Sequence, residues 1–162
     1  MVTAIETKFK RELLDGDTNE QVTTLLQSNL VNLIDLALLM KQAHWNVVGP
    51  KFRSIHLQLD EIIETAREAS DEIAERIAAL GVAADGRSRT VDESSELNSY
   101  PLHFVDVQET ITKVADELKT VIDRMRTSID QLGDLDPVSE DMLIAFTGPL
   151  EKHLWMLQAQ EA

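Results

Sequence analysis

Four long stretches of the chain place apolar residues at helical spacing, and no stretch shows the sustained alternation that is typical of a strand. The pattern predicts an all-α fold whose helices cover residues 19–46, 52–80, 102–132 and 140–160. The first helix is apolar on too many sides for a lone bundle, which indicates burial on more than one face and suggests a subunit interface.

The predicted helix ends carry recognisable signals. Thr18 and Gln21 fit a capping box for the first helix, because a hydroxyl and an amide at that spacing satisfy each other's free backbone N–H groups. Ser139 is the expected N-cap of the fourth helix. Gly148 and Pro149 fall inside that helix and predict a kink, since proline cannot donate a backbone hydrogen bond.

The only connection long enough to return along a bundle lies between the second and third helices, and it carries one short helical segment near residues 92–97. Two helical hairpins joined by one long crossover are the arrangement of a ferritin-like four-helix bundle. We therefore expect residues 1–162 to form a single ferritin-like domain, with residues 1–17 as a flexible N-terminal segment.

Composition narrows the chemistry. The chain has no cysteine, which excludes disulfides, thiol catalysis and cysteine-ligated metal centres. Its net charge of −14 repels phosphate and attracts cations, so binding of DNA by the protein body is disfavoured. No continuous apolar run approaches the ~18 residues of a membrane span, and the first residues do not resemble a secretory signal. A cytoplasmic protein is the resulting expectation.

Four candidate metal ligands share one face of the second helix. At ~100° per residue, His56, Asp60, Asp71 and Glu75 lie at roughly 0°, 40°, 60° and 100° around the axis. Asp71 and Glu75 are a like-charge pair one turn apart, which is unfavourable unless a cation lies between them. The alternative interpretation is that these carboxylates form the solvated face of an acidic helix.

The spacing of these ligands predicts a site shared between two chains. His56 and Glu75 are 19 residues apart, or roughly 28 Å along a helix, so they cannot bind one metal within one chain. In an antiparallel two-fold dimer, His56 and Asp60 of one chain can meet Asp71 and Glu75 of the other, which creates two equivalent sites. His44 is placed to complete each set, whose imidazoles and carboxylates suit iron, with zinc or manganese as alternatives.

The segments HWNVVGPKFRSIHLQLD, residues 44–60, and DEIAERIAALG, residues 71–81, resemble the two signature segments of the Dps family, the DNA-binding proteins from starved cells. The resemblance extends over nearly the whole chain. It implies a hollow dodecameric miniferritin with ferroxidase sites at its two-fold interfaces, where Fe(II) is oxidised preferentially by hydrogen peroxide and stored as ferric mineral. It assigns His44, His56 and Asp60 to one subunit, and Asp71 and Glu75 to its partner.

Other residues have weaker assignments. Trp45 and Trp155 are candidate electron donors or packing residues, whereas His103 and His153 are expected to be structural. Glu61, Glu64 and Glu68 either face a mineral cavity or face solvent. An acidic cluster between the third and fourth helices either lines a three-fold pore for iron entry or balances a helix dipole. Its members are Asp130, Asp134, Asp136, Glu140 and Asp141.

DNA binding is the family property that this chain supports least. Members that bind DNA tightly generally carry a lysine-rich tail, whereas the cations in residues 1–17 are offset by acidic residues and no basic extension follows the last helix. Two alternative functions stay open. One is a nucleoid-binding protein with an incidental metal site, and the other is a hydrolase that activates water at the same site.

Overall fold

The computed structural model describes residues 9–162, and within that range it is an all-α bundle with one very small sheet. The elements in chain order are α1 Gly16–Asn46, β1 Val47–Val48, α2 Phe52–Ala79, α3 Ser88–Ser94, β2 Val105–Asp106, α4 Val107–Leu132 and α5 Pro137–Glu161. The predicted ferritin-like bundle of four long helices, with a short helix in the crossover, is confirmed. Residues 1–8 of the predicted N-terminal segment lie outside the described residues.

Helix α1 begins earlier than its predicted start at residue 19. Asp15 is its N-cap and accepts hydrogen bonds from the backbone N–H of Thr18, at 3.1 Å, and from the Thr18 hydroxyl. The predicted capping box was therefore wrong, and the Gln21 amide instead donates to the backbone carbonyl of Asp17. Aspartate is among the preferred N-cap residues, so it competes successfully for the helix start.

The apolar surface of α1 is largely buried, as its sequence predicted. The helix packs on α2 and α4 and contributes leucines from Leu26 to Leu39 to the core. Its most apolar 18 residues have a mean hydropathy of 1.4, enough to span a membrane by length and composition alone. However, 61% of that window is buried inside the bundle, which is ordinary for a core helix. Leu38 stays exposed.

Helix α4 begins at Val107 and not at the predicted residue 102. Val105 and Asp106 form a short parallel ladder with Val47 and Val48, directly after α1. The Asp106 carboxylate then caps α4 by accepting from two backbone N–H groups. Strands of two residues are too short to produce a periodic signal, which is why the sequence pattern did not reveal them.

The crossover is held to the bundle by side chains of α1. The Gln27 amide exchanges two hydrogen bonds with the backbone of Asp85, at 2.8 and 2.9 Å. The Asn32 side chain does the same with the backbone and carboxylate of Glu96, which also pairs with Arg124 of α4. These contacts replace the regular backbone partners that an extended crossover lacks. The short helix lies at Ser88–Ser94, slightly before its predicted position.

A buried ion pair joins the end of α2 to the start of α5. The guanidinium of Arg76 donates to the Asp136 carboxylate at 2.7 Å and to the Ser139 hydroxyl at 3.0 Å, and the side chains of Arg76 and Asp136 are only 16% and 5% exposed. Ser139 was predicted as the N-cap of α5, which was wrong. The helix begins at Pro137, a residue favoured in a first turn, and Ser139 donates its hydroxyl proton to Asp136. Helix α5 continues across Pro149.

We expect Arg76→Met to lower the free energy of unfolding by about 3–5 kcal/mol, because it leaves the Asp136 charge buried without its partner. Urea denaturation followed by circular dichroism would measure the change. The matched control is Arg126→Met, which removes a guanidinium from an exposed pair with Glu151 and should cost under about 1 kcal/mol. Equal losses in the two variants would contradict a special contribution from the Arg76 pair.

The same ion pair predicts a pH dependence. Burial of Asp136 raises its pKa, but hydrogen bonds from Ser139 and Arg76 outweigh burial, so the pKa lies below its ordinary value. The ionised carboxylate therefore stabilises the fold above about pH 4, and that contribution is lost as pH falls through the lowered pKa. The stability difference between the wild type and Asp136→Asn should shrink between pH 7 and pH 3. A difference that is constant over this range would refute the assignment.

Candidate metal centre

His44 and His56 hold each other in place through their backbones. His44 Nδ1 lies 2.7 Å from the carbonyl oxygen of His56, and His56 Nδ1 lies 2.9 Å from the carbonyl oxygen of His44. The rings stack with their centroids 3.6 Å apart. A carbonyl oxygen only accepts, so both Nδ1 atoms must carry the proton. The lone pair of a neutral imidazole is then on Nε2, the atom left for a metal ion.

The turn between α1 and α2 creates this crossed pair. His44 lies in the last turn of α1, and β1 and residues 49–51 then bring the chain back so that α2 starts at Phe52. The reversal needs positive φ angles at Gly49, +112°, and at Lys51, +64°. Glycine adopts the first of these without steric cost, so Gly49 allows the chain reversal that brings the two histidines together.

Asp60 lies one turn after His56 and is held by Lys41. The Lys41 ammonium donates to Asp60 Oδ1 at 2.6 Å, and His44 Nδ1 is 3.4 Å from the same oxygen. The hydrogen bond from Lys41 lowers the pKa of Asp60 from its ordinary value, against the opposing effect of partial burial. The carboxylate is therefore ionised at neutral pH, and its cation is the ammonium of Lys41. A metal ion at Asp60 Oδ1 would have to displace that ammonium.

Asp71 and Glu75 lie farther along α2 and are both exposed. An open groove of about 880 Å³ runs along the helix from Asp60 to Asp71 and is lined by Lys41, Ile63, Glu64, Arg67 and Glu68 between them. Within residues 9–162, no three His, Asp or Glu side chains of one chain come together in a metal-binding arrangement. The geometry of one chain therefore presents two separate groups of candidate donors.

The face of α2 that carries the candidate ligands is distinct from its core-facing side. At ~100° per residue the buried side chains, from Ile55 to Ile77, fall between roughly 220° and 340° of the scale on which His56 is at 0°. The donors occupy the arc from 0° to 100°. They therefore point away from the four-helix core, onto a surface that a single chain leaves open.

Lys41 and Arg67 are the residues of this region that the sequence reasoning missed. Both line the groove between the two donor groups. Lys41 is three residues before His44, so helical periodicity places it on the same side of α1 as that ligand. Arg67 lies at about 20° on α2, inside the ligand arc. A search for ligands alone overlooks such cations, although they are the charges that a metal must compete with.

The tryptophans and the two remaining histidines differ in their exposure. Trp45 and Trp155 have relative exposures of 65% and 63%, so neither is a core residue of the single chain. His103 is exposed in the loop before β2. His153 is half-buried, its Nε2 lies 2.9 Å from the Thr65 hydroxyl, and burial lowers the pKa of the imidazole.

The acidic cluster predicted for a pore is not uniform. Asp130, Asp134 and Asp141 are exposed, and Glu140 is half-buried next to Gly133. Asp136 differs because it is 4% exposed and neutralised by Arg76. Its carboxylate is committed to the fold, so we correct the sequence assignment and remove Asp136 from the candidate pore residues.

Comparisons with known proteins show which family the chain resembles. The ferritin-like domain family matches residues 23–161. The DNA protection during starvation protein of Mycolicibacterium smegmatis is 38% identical over 153 residues, which cover 94% of this chain and 84% of that protein. A fine tangled pili major subunit of Haemophilus ducreyi is 40% identical over 142 residues, covering 88% and 75% of the two chains.

The fold gives the same result. The tetragonal crystal form of Mycobacterium smegmatis Dps superimposes with a TM-score of 0.90 at 37% identity, covering 96% of this chain and 94% of that one. Sequence motifs, helix order and backbone geometry thus agree over almost the full length. The chain belongs to the ferritin-like proteins and, among them, to the Dps family.

Proposed function

We propose that this protein is a miniferritin subunit that oxidises Fe(II) at sites shared between two chains and stores the ferric product in a hollow, dodecameric shell. The observation that carries the proposal is the crossed histidine pair, in which both Nδ1 atoms are bound to backbone carbonyls. Two imidazoles prepared in this way, beside an ionised carboxylate, form half of a centre suited to iron. A two-fold related copy supplies the other half through Asp71 and Glu75.

Each residue would have a defined role toward the substrate iron. His44 and His56 bind through Nε2, and their carbonyl partners fix the ring orientation. Asp60 and the partner's Asp71 and Glu75 supply three negative charges that offset two Fe(II) ions. Each ion gives one electron to hydrogen peroxide, whose O–O bond breaks, and two protons complete two water molecules. This two-electron reduction avoids hydroxyl radical, which would protect DNA and protein from oxidative damage.

The remaining assignments follow from the same proposal. The exposed carboxylates Asp130, Asp134 and Asp141 would draw Fe(II) toward the shell, helped by the net charge of −14. Trp45, next to a ligand and exposed in the single chain, is placed to supply electrons or to pack at the dimer interface. A cytoplasmic location fits this chemistry, because Fe(II) persists in a reducing compartment.

We expect the variant Asp71→Asn with Glu75→Gln to oxidise Fe(II) more than about 10-fold slower than the wild type, because loss of direct ligands should exceed the loss seen for outer-shell partners. Anaerobic Fe(II) mixed with half an equivalent of hydrogen peroxide, followed by ferric absorbance, measures the rate. Glu72→Gln is the matched control, since this exposed carboxylate of α2 lies outside the ligand arc. Wild-type oxidation no faster than in buffer would end the proposal.

A mixing experiment tests whether the site is shared. His56→Gln with Asp60→Asn destroys one donor group, and Asp71→Asn with Glu75→Gln destroys the other. Each variant alone should be inactive. A mixed dimer contains one intact site, so random pairing should restore about a quarter of the wild-type rate. A site within one chain would show no restoration, and that result would overturn the shared-site arrangement.

Lys41→Met should bind a divalent metal more tightly, by about 2- to 5-fold, because the metal no longer displaces the ammonium from Asp60. Calorimetry with Zn²⁺ on the metal-free protein measures this affinity without any turnover. Lys119→Met is the control, since Lys119 forms an exposed pair with Asp123 on α4. Weaker binding by Lys41→Met would mean that the ammonium supports the site.

A further inference from the structure

Glu64 and Arg67 lie in the groove between the two donor groups of α2 and have no ion-pair partner within residues 9–162. Both side chains are exposed, and no other side chain of residues 9–162 forms a hydrogen bond with either of them. A glutamate and an arginine three residues apart on a helix are neighbours and often pair with each other. Here they do not, so each remains available to a partner outside the chain.

The register of the proposed dimer determines what these two residues face. If His56 lies opposite the partner's Glu75, and Asp60 opposite the partner's Asp71, the residue numbers of each facing pair add to 131. The two-fold axis then passes between residues 65 and 66 of α2. By the same arithmetic, Glu64 lies opposite the partner's Arg67. Two-fold symmetry creates this pair twice, once on each side of the axis.

The angular positions agree with the register. On the scale with His56 at 0°, Arg67 falls at about 20° and Glu64 at about 80°, inside the 0° to 100° arc of the four ligands. The side chains that pair across the axis thus lie on the same face as those that would bind iron. Around them, Ile34, Ala37 and Leu38 of α1 line an adjoining apolar groove that also includes Arg67. Association would bury this surface and strengthen a charge pair within it.

We propose that Glu64 and the partner's Arg67 form two reciprocal ion pairs at the centre of the dimer, and that these pairs set the register in which both metal sites assemble. The inference rests on the proposed shared site. A slip of one helical turn in one direction would place Glu64 opposite the partner's Asp71, where like charges repel. A slip in the other direction would place it opposite Ile63. In these two slipped registers Arg67 would face the partner's Glu68 or the partner's Asp60, so Glu64 is the residue that loses its partner. Only the register that completes the metal sites gives both Glu64 and Arg67 an opposite charge.

Charge reversal tests the proposal on the full-length protein. Glu64→Arg should weaken the dimer contact by about 10-fold or more, because its homodimers oppose two arginines, and Arg67→Glu should do the same by opposing two glutamates. The subunit association state measured by native mass spectrometry and the stoichiometry of Zn²⁺ binding are the two readouts. Glu72→Arg is the control, since the same charge change lies outside the facing arc. Circular dichroism checks that every variant is folded.

The decisive measurement mixes the two single variants. A chain carrying Glu64→Arg and one carrying Arg67→Glu restore both central ion pairs when they associate with each other. We expect such mixtures to form heterodimers with wild-type Zn²⁺ stoichiometry, and the double variant to recover in the same way as a homodimer. Unaffected single variants would overturn the proposal, as would single variants that neither mixing nor the double exchange rescues.

The outcome can be separated from that of the proposed function. If the shared site is wrong, mixing the two ligand-deficient variants restores no oxidation, whatever the charge variants do. If the shared site is right and the register pair is wrong, ligand mixing restores oxidation while exchange of Glu64 and Arg67 charges has no effect. Recovery in both mixing experiments supports the two proposals together.

Discussion

The stiffness of α2 is the constraint on which the proposed metal centre depends. This 28-residue helix carries donors at both ends of one face, and its rise separates His56 from Glu75 by roughly 28 Å. An α-helix cannot fold back on itself, so no movement of one chain brings the two groups together. Either the donors are unrelated, or a second α2 lies against the first. Whether this face of α2 is a solvated acidic surface or half of a metal centre therefore depends on whether two chains associate through it.

The two ends of α2 are anchored in different ways, and both anchors serve the same face. At the first end, the crossed hydrogen bonds between two histidines and two carbonyls fix the imidazoles relative to the backbone. At the other end, Arg76 binds Asp136 and Ser139 at the start of α5. Arg76 directly follows Glu75 in the chain, so the pair that stabilises the bundle also fixes the helix segment that presents this carboxylate. Stability and site geometry are coupled through adjacent residues.

The sequence predicted the helices better than it predicted their ends. Apolar periodicity over 20 or more residues averages out local exceptions, whereas a boundary depends on the competition between a few caps. Asp15 is the N-cap in place of Thr18, and Asp136 in place of Ser139, because several residues near each end were suited to the same position. The start of α4 depended on a two-residue ladder with a segment more than 50 residues away, and such a contact leaves no local signal.

The site shows the same division between local and long-range information. The spacing of the candidate ligands could be read from the sequence because it follows from one helix, and the resemblance carried by residues 44–60 and 71–81 implies the same positions. The sequence could not predict the contact of the Lys41 ammonium with Asp60 or the burial of Asp136, because both depend on which distant helices pack together. Residue type alone treats all aspartates as equal. Tertiary contacts show that Asp136 is paired with Arg76 inside the fold, whereas the exposed aspartates remain accessible to a cation.

Glu64 and Arg67, the charged residues near the middle of α2, bear on how the proposed metal site would assemble. A metal site that forms only between two chains requires that the chains associate in the correct register before a metal ion binds. Association is opposed by charge repulsion, because three of the five proposed donors are carboxylates that come close together. In the proposed dimer these carboxylates would oppose association in the absence of iron, and Lys41 would relieve only the share carried by Asp60. An attractive pair between Glu64 and the partner's Arg67 would act at the axis, where both sites benefit equally. A dimer arranged in this way would assemble without metal, and iron would then displace the Lys41 ammonium from Asp60.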